Sequence, residues 1–288
     1  MSGSTPKVSV LMPTYKTDEQ HLREAIESVL HQTFKDFEFL ILDDCPDDTR
    51  ENIVKSYHDD RIKYSKNDKN LGITPSRNKL ISMSQGEYLA VMDHDDISLP
   101  ERFAKQVAYL DENKDVGVVA SWVDCFPENT KLHFPADDVE IKKLLMEVCS
   151  IVHPSSMIRK SVLLEHGLQY EEEFTPSEDY CLWLRMIEFT KFHNLQEVLF
   201  RYRLHSNNTS KSQHGKMVSA TEKLYPWVRS KYPHLYQMYL NDRTKVYKIK
   251  LFKIPLLKIV AKQNRIKVYL FSLLPCLTIN RKVLSWPK

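Results

Sequence analysis

Glycine is scarce in this chain, with six glycines among 288 residues. A dinucleotide-binding loop of the pattern G-x-G-x-x-G and a phosphate-binding Walker loop both need closely spaced glycines, and the sequence contains neither. The phosphates of a nucleotide ligand would therefore have to be neutralised in another way. A divalent cation held by carboxylates is the expected solution.

Cysteines and long apolar runs are also few. The five cysteines are widely scattered and form no C-x-x-C pair, and the N-terminus has no pattern of a secretory leader. This argues against a disulfide framework and a structural zinc site, and it favours a reducing cytoplasm. The longest apolar run, Val268 to Leu277, is far shorter than a segment that spans a bilayer.

Acidic residues are absent from the C-terminal segment. Residues 243–288 hold 12 of the 41 basic residues, which leaves 29 basic against all 38 acidic residues in the preceding part. A uniformly basic nucleic-acid binder would not show this asymmetry, and no zinc-finger, homeodomain or RNA-recognition signature occurs. We therefore expect no nucleic-acid partner.

The basic tail mixes lysines with leucine, phenylalanine and tyrosine. From about Gly215 onward the pattern predicts helices, and this composition suits a segment that lies on the anionic inner face of a membrane. A helical cap packed on the domain is the alternative. We expect a cytoplasmic protein that is peripheral on the inner face of the cell membrane.

Apolar strand patterns alternate with amphipathic helix patterns in the first half of the chain. K-V-S-V-L-M and F-E-F-L-I-L read as buried strands, and the helix predicted between them, over residues 18–32, has Asp18 placed as its cap. Such alternation predicts a doubly wound α/β sheet. Further helices are predicted near 49–57, from Thr74-Pro75 with threonine as the cap, and over 100–112; further strands are predicted over 61–64, 88–92 and 116–122.

Polar clusters follow three of the predicted strands. These are Pro13-Thr14-Tyr15, the acidic stretch 43–48, and D-H-D-D at 93–96. Ligands of open α/β sheets bind at the carboxyl ends of strands where the strand order reverses, so the three clusters should share one crevice. Three crowded carboxylates indicate either a solvated turn or a cation site.

Seven motifs follow one another between about Val8 and Ser210. They are V-S-V-L-M-P-T-Y, S-V-L-H-Q-T-F-K-D-F-E-F-L-I-L-D-D, N-L-G-I-T-P-S-R-N, D-H-D-D, H-P-S-S-M-I-R-K-S, S-E-D-Y-C-L-W-L-R and R-Y-R-L-H-S-N-N-T-S. In this order they resemble the motifs of family-2 inverting glycosyltransferases with the GT-A fold, especially bacterial enzymes that extend lipopolysaccharide, lipooligosaccharide or capsule chains.

The resemblance implies a donor site for a nucleotide sugar, with UDP the expected nucleotide. Tyr15 would lie against uracil, Asp44 would accept from the imide N–H of the base, and Arg77 would bind the base or the diphosphate. Asp93 would hold the ribose. The remaining donor-site expectations are Pro13 and His94.

The resemblance also implies a metal and a general base. Asp95 would bind Mn²⁺ or Mg²⁺ bridging the phosphates, with His205 as a further metal or diphosphate ligand. Asp179 would take the proton of the acceptor hydroxyl, with Glu178 beside it. For this acid pair, complementation of the helix dipole is the alternative. His153 is a candidate contact to donor or acceptor, and a structural loop residue is the alternative.

The sequence departs from its relatives at three points. Cys45-Pro46 replace the usual Gly-Ser after the aspartate pair, Lys16 replaces the usual asparagine, and Cys181 stands where many relatives have an aspartate. The first departure affects the loop path, and the last leaves Asp179 as the expected base.

The predicted fold is α/β of the GT-A type, a Rossmann-like, mostly parallel sheet flanked by helices, with a helical basic tail. The predicted division is a catalytic domain over residues 1–214, with a nucleotide-sugar half at about 7–123 and an acceptor half at about 124–214, followed by a helical tail over 215–288. The expected acceptor is a glycan or a lipid-linked oligosaccharide. The alternatives are a nucleotidyltransferase that makes nucleotide sugars, against which the missing glycine-rich loop argues, and a non-catalytic sugar-nucleotide or polysaccharide binding module.

Overall fold

The computed structural model describes residues 5–206, 208 and 212–242, together with the backbone of 245–251, 254–262, 265–270 and 274–280. It divides into two compact units, Met1–Val228 and Arg229–Lys288. The motifs quoted above lie in the first unit. The second contains most of the basic tail.

The first unit alternates strands and helices, as predicted. In chain order its elements are β1 Val8–Thr14, α1 Glu19–Leu30, β2 Phe37–Asp43, α2 Glu51–Lys55, β3 Ile62–Lys66, α3 Ile73–Met83, β4 Tyr88–Val91, β5 Ile97–Ser98, α4 Arg102–Glu112, β6 Val116–Phe126, β7 Thr130–Leu132, α5 Asp138–Leu144, β8 Met157–Arg159, α6 Lys160–Glu165, α7 Glu178–Met186, β9 Lys191–Arg203 and α8 His214–Lys231, the last of which continues into the second unit. Short 3₁₀ turns occur at His153–Ser155 and Glu172–Phe174.

The strands of the first unit form one sheet. Its order is β3-β2-β1-β4-β8-β6-β9-β5, and β7 pairs with β6. The four strands from β3 to β4 are parallel, and the order reverses between β1 and β4. Beyond β4 the sheet is mixed, because β8 runs antiparallel to both β4 and β6. The parallel arrangement is therefore continuous over β3, β2, β1 and β4, and a further parallel pair joins β6 to β9.

Helix α1 shows how the pattern of apolar residues sets the packing. Leu22, Ala25, Ile26 and Val29 recur at helical spacing and are all buried in the core. Asp18 caps the helix through its carboxylate, which accepts from the backbone N–H groups of residues 20 and 21. Both the cap and the apolar face agree with the sequence prediction.

Helix α3 begins differently from the prediction. It starts at Ile73, its N-terminal flanking residue is Gly72, and no side chain caps it. The hydroxyl of Thr74 instead shares a hydrogen bond of 2.6 Å with the hydroxyl of Thr175. Because Thr175 is 101 residues away in sequence, no local pattern could have revealed this contact.

The prediction of helices from about Gly215 onward agrees with α8 and with helix α9, Pro233–Asp242, but it is wrong beyond them. Four antiparallel strands follow α9, in the order β10-β11-β12-β13. They are β10 Lys245–Leu251, β11 Ile254–Lys262, β12 Arg265–Leu270 and β13 Leu274–Asn280. Stretches such as K-I-K-L and R-I-K-V alternate charged and apolar residues with period two, which favours strands. No helix of the described residues is both long and apolar enough to cross a membrane.

Candidate active site

The polar strand ends meet at one edge of the sheet, as predicted. β1 ends at Thr14, and the backbone N–H of Asp44, just after β2, donates to the Thr14 carbonyl at 2.9 Å. Asp93 follows β4, the strand beside β1. This edge lies where the strand order reverses, so it is the expected position of a ligand crevice.

Asp44 organises the loop that leads into α3. Its side chain is almost fully buried, and Oδ1 accepts from Asn67 Nδ2 at 2.7 Å and from the Leu71 N–H at 2.8 Å. Oδ2 accepts from the Gly72 N–H at 2.8 Å, and the φ of +90° at Gly72 is one that glycine readily adopts. Among the described residues Oδ2 accepts a single hydrogen bond, which leaves it capacity for a ligand donor. Asn67 belongs to none of the motifs quoted above, and no local pattern marks it as a partner of Asp44.

An open cleft of about 390 Å³ lies beside this loop. Tyr15 is 44 % exposed there, while Pro13 is buried in β1. Lys16 has a φ of +47°, and its ammonium lies 5.4 Å from the centre of the Tyr15 ring. The cleft is lined by Tyr15, Lys16, Cys45, Pro46, Asp47, Asp48, Asp68, Lys69 and Asn70.

The acidic turn after β4 is joined to the end of β9. His205 Nε2 lies 2.7 Å from Asp95 Oδ2, although the two residues are 110 positions apart in sequence. Asp96 is fully buried, and its Oδ1 accepts from the Arg203 N–H at 2.7 Å. Burial, followed by the charges of Asp95 and Asp93, raises the pKa of Asp96 well above its usual value. The turn is therefore not simply solvated.

The acidic turn and the end of β9 supply part of the ligand set that a divalent cation needs. Asp95 and His205 supply a carboxylate and an imidazole side by side. No cluster of three or more potential ligands occurs among the described residues. Two protein ligands suffice when a cation takes its remaining ligands from phosphate oxygens and water, as Mg²⁺ commonly does. The pair is thus suited to a metal that arrives with a nucleoside diphosphate.

Arg77 connects the acidic turn after β4 to helix α7. One guanidinium nitrogen lies 3.3 Å from Asp93 Oδ1, and another pairs with Glu178 Oε1. Glu178 is almost fully buried, and the ion pair with Arg77 gives it a specific partner in addition to the dipole of α7. The sequence could not indicate this pair, because Arg77 and Glu178 lie on separate segments.

Asp179, next to Glu178, has the properties of a proton acceptor. Burial and the neighbouring charge of Glu178 raise the pKa of Asp179 to about 6, although Arg77 opposes the shift. One of its oxygens accepts from the Tyr180 N–H at 2.7 Å. A carboxyl group with a pKa of about 6 is ionised at neutral pH and is a stronger base than an ordinary aspartate.

The other two predicted histidines differ in their surroundings. His153 is almost fully buried, and its Nε2 lies 2.8 Å from the hydroxyl of Tyr170. Burial, followed by the charges of Arg77 and Arg102, lowers the pKa of His153 well below its usual value. These contacts favour the structural alternative for His153. His94 is partly buried within the acidic turn.

Comparison with known proteins decides the family. The profile described as Glycosyl transferase family 2 matches residues 9–167. An uncharacterized glycosyltransferase of Methanocaldococcus jannaschii is 38 % identical over 231 residues, which is 77 % of each chain. The chain belongs to glycosyltransferase family 2. Membership of this family favours a glycosyltransferase over the two alternatives, a nucleotidyltransferase and a binding module.

Other members and structures agree with this assignment. The O-antigen biosynthesis glycosyltransferase WbnJ of Escherichia coli is 33 % identical over 218 residues, covering 71 % of this chain and 82 % of WbnJ. S. aureus TarS 1–349 in complex with UDP-GlcNAc superposes with a TM-score of 0.61 at 17 % identity, covering 82 % of this chain and 80 % of TarS 1–349. Against another TarS 1–349 structure, this chain covers 64 % of its length.

A mannosyltransferase of Pyrobaculum calidifontis, in complex with GDP-Man and Mn²⁺, superposes with a TM-score of 0.58 at 14 % identity. The superposition covers 83 % of this chain and 75 % of the mannosyltransferase. Together with the TarS match, this likeness confirms the GT-A fold expected from the sequence motifs.

Proposed function

We propose that this family-2 enzyme is a metal-dependent, inverting glycosyltransferase. Its donor is a UDP-linked sugar, and the sugar is transferred to a hydroxyl group of the acceptor. One arrangement of side chains carries the proposal. His205 Nε2 lies 2.7 Å from Asp95 Oδ2 at the strand ends, and Asp179, whose pKa is raised, lies beside the Arg77–Glu178 pair. These groups match the needs of leaving-group stabilisation and of proton removal.

The donor half would bind the nucleotide through the cleft beside Tyr15. The exposed ring of Tyr15 offers a face for the uracil, and Oδ2 of Asp44 can accept from its imide N–H. Asp93 would accept from the ribose hydroxyls. Arg77 would contact the base or the diphosphate, and Pro13 and His94 would complete the walls of the donor site. The complex of TarS 1–349 with UDP-GlcNAc supports the choice of UDP.

Asp95 and His205 would be the residues that hold a Mn²⁺ or Mg²⁺ ion. The ion would stabilise the negative charge that develops on the nucleoside diphosphate as the glycosidic bond breaks. The mannosyltransferase complex with Mn²⁺ supports this assignment by analogy. Asp179 would take the proton from the acceptor hydroxyl, and attack opposite the leaving group would invert the anomeric centre.

The acceptor would be a glycan or a lipid-linked oligosaccharide of a cell-surface polysaccharide. Similarity to the O-antigen enzyme WbnJ supports this substrate class. The basic C-terminal segment supports a location on the anionic inner face of the membrane, because such a surface attracts lysine and arginine.

Calorimetry of UDP binding tests the metal and donor assignments together. We expect Mn²⁺ to strengthen UDP binding to the wild-type protein and to have little effect on Asp95→Asn. Asp60→Asn is the matched control, because Asp60 is exposed in the turn before β3. Equal UDP affinity with and without Mn²⁺ in both the wild type and Asp95→Asn would refute the metal assignment. A panel of nucleotide sugars, measured by donor hydrolysis, would identify the sugar.

A further inference from the structure

Arg203, at the end of β9, makes two hydrogen bonds to the acidic turn. Its Nε donates to the main-chain carbonyl of Asp95 at 2.6 Å. Its backbone N–H donates to Asp96 Oδ1 at 2.7 Å. Arg203 therefore binds the turn at two successive residues, Asp95 and Asp96.

The guanidinium of Arg203 is itself held in place. Its NH2 group pairs with Glu24 of α1, and its side chain is only 12 % exposed. The central carbon of the guanidinium lies 4.6 Å from the centre of the Phe126 ring. Helix α1 and strand β6 thus restrict the orientation of Arg203.

The same segment positions His205. The His205 N–H donates to Asn208 Oδ1 at 2.6 Å, and Asn208 Nδ2 donates to the Arg203 carbonyl at 3.0 Å. The side chain of Asn208 therefore links the main chain of His205 to the main chain of Arg203. Any displacement of Arg203 would alter both members of the Asp95–His205 pair.

We propose that Arg203 is a positioning residue that sets the relative geometry of Asp95 and His205 for the cation, an inference that rests on the metal-dependent function proposed above. Arg203 contacts the main chain of one ligand and belongs to the turn that carries the other. Partners that orient metal ligands in this way typically change metal affinity by about 10- to 100-fold when they are replaced.

Arg203→Lys tests this role, because lysine keeps the charge opposite Glu24 but lacks the planar fork that reaches both Glu24 and the Asp95 carbonyl. We expect the Mn²⁺ dissociation constant, measured by electron paramagnetic resonance with saturating UDP, to rise by about 10- to 100-fold. Saturating Mn²⁺ should restore most of the transfer rate, because Arg203 does not contact the reacting atoms.

Arg201→Lys is the matched control. Arg201 lies on the same strand and stacks on the same Phe126 ring at 4.4 Å, but its Nε pairs with Asp124. We expect its Mn²⁺ affinity to equal that of the wild type. Equal losses in the Arg201 and Arg203 variants would indicate general loosening of the fold and would overturn the proposal.

The remaining outcomes distinguish a failure of the metal assignment from a failure of the role proposed for Arg203. If the wild type lacks Mn²⁺-dependent UDP binding, the metal assignment fails and the role of Arg203 fails with it. If the wild type binds Mn²⁺ and Arg203→Lys binds it equally well, only the role of Arg203 is overturned. Should Arg203→Lys not fold, Glu24→Ala removes the carboxylate that pairs with Arg203 and leaves Arg203 itself unchanged. A several-fold weaker Mn²⁺ affinity in that variant supports the role, and unchanged affinity overturns it.

Discussion

Replacement of Asp179 by asparagine should remove the proposed base while preserving its size and most of its hydrogen bonding. With a pKa of about 6, the Asp179 carboxyl is ionised in about nine of ten molecules at pH 7. Asparagine cannot accept the proton, so we expect the transfer rate to fall by about 10²- to 10⁴-fold, or roughly 3 to 5 kcal/mol of transition-state stabilisation.

The pH dependence gives this prediction a second, independent readout. A base must be deprotonated to act, so wild-type kcat/KM should decline below pH 6 by about tenfold per pH unit. The Asp179→Asn variant should lack this decline, and its UDP affinity should stay within a few-fold of the wild type.

Steady-state transfer from pH 5 to 8, together with UDP calorimetry, provides the assay. Glu173→Gln, which removes an exposed carboxylate from the segment before α7, is the control and should behave as the wild type. The assignment is refuted if Asp179→Asn turns over at a near-normal rate, or if it retains the decline below pH 6.

Two further predictions concern the neighbouring acid and the basic tail. The charge of Glu178 helps to raise the pKa of Asp179, so Glu178→Gln should move the acidic limb of kcat/KM to lower pH; a limb that stays in place or moves to higher pH would contradict this. The intact protein should sediment with anionic vesicles at low salt and be released by high salt, because salt screens the attraction. Binding to neutral vesicles of equal strength would show that charge is not the cause.

The sequence could predict the elements of the first unit because their apolar periodicity is set locally. The face of α1 and the buried strands β1 and β2 follow from the spacing of their own residues. The same local signal failed in the tail. There, apolar clusters interspersed with lysines predicted helices, whereas residues 245–280 contain the four strands β10 to β13, and only β10 and β12 show a period-two alternation of charged and apolar residues.

The partners of the site residues were much harder to predict than their positions. The strand-end rule located Asp44, Asp93 and Asp95 at one edge, because parallel strands bring their carboxyl ends together. No periodicity, however, indicates that Asp44 binds Leu71 and Gly72, or that Arg77 pairs with Glu178. Those contacts join segments far apart in sequence and depend on the completed fold.

The position of Arg77 between Asp93 and Glu178 has a thermodynamic consequence. The positive charge of Arg77 opposes the rise in the pKa of Asp179. An anionic donor that drew the guanidinium towards itself would leave Glu178 less compensated, and the proton affinity of Asp179 would increase. Linkage is reciprocal, so protonation of Asp179 would in turn strengthen donor binding by the same factor. Donor binding and protonation of Asp179 would then be thermodynamically coupled, and each would favour the other.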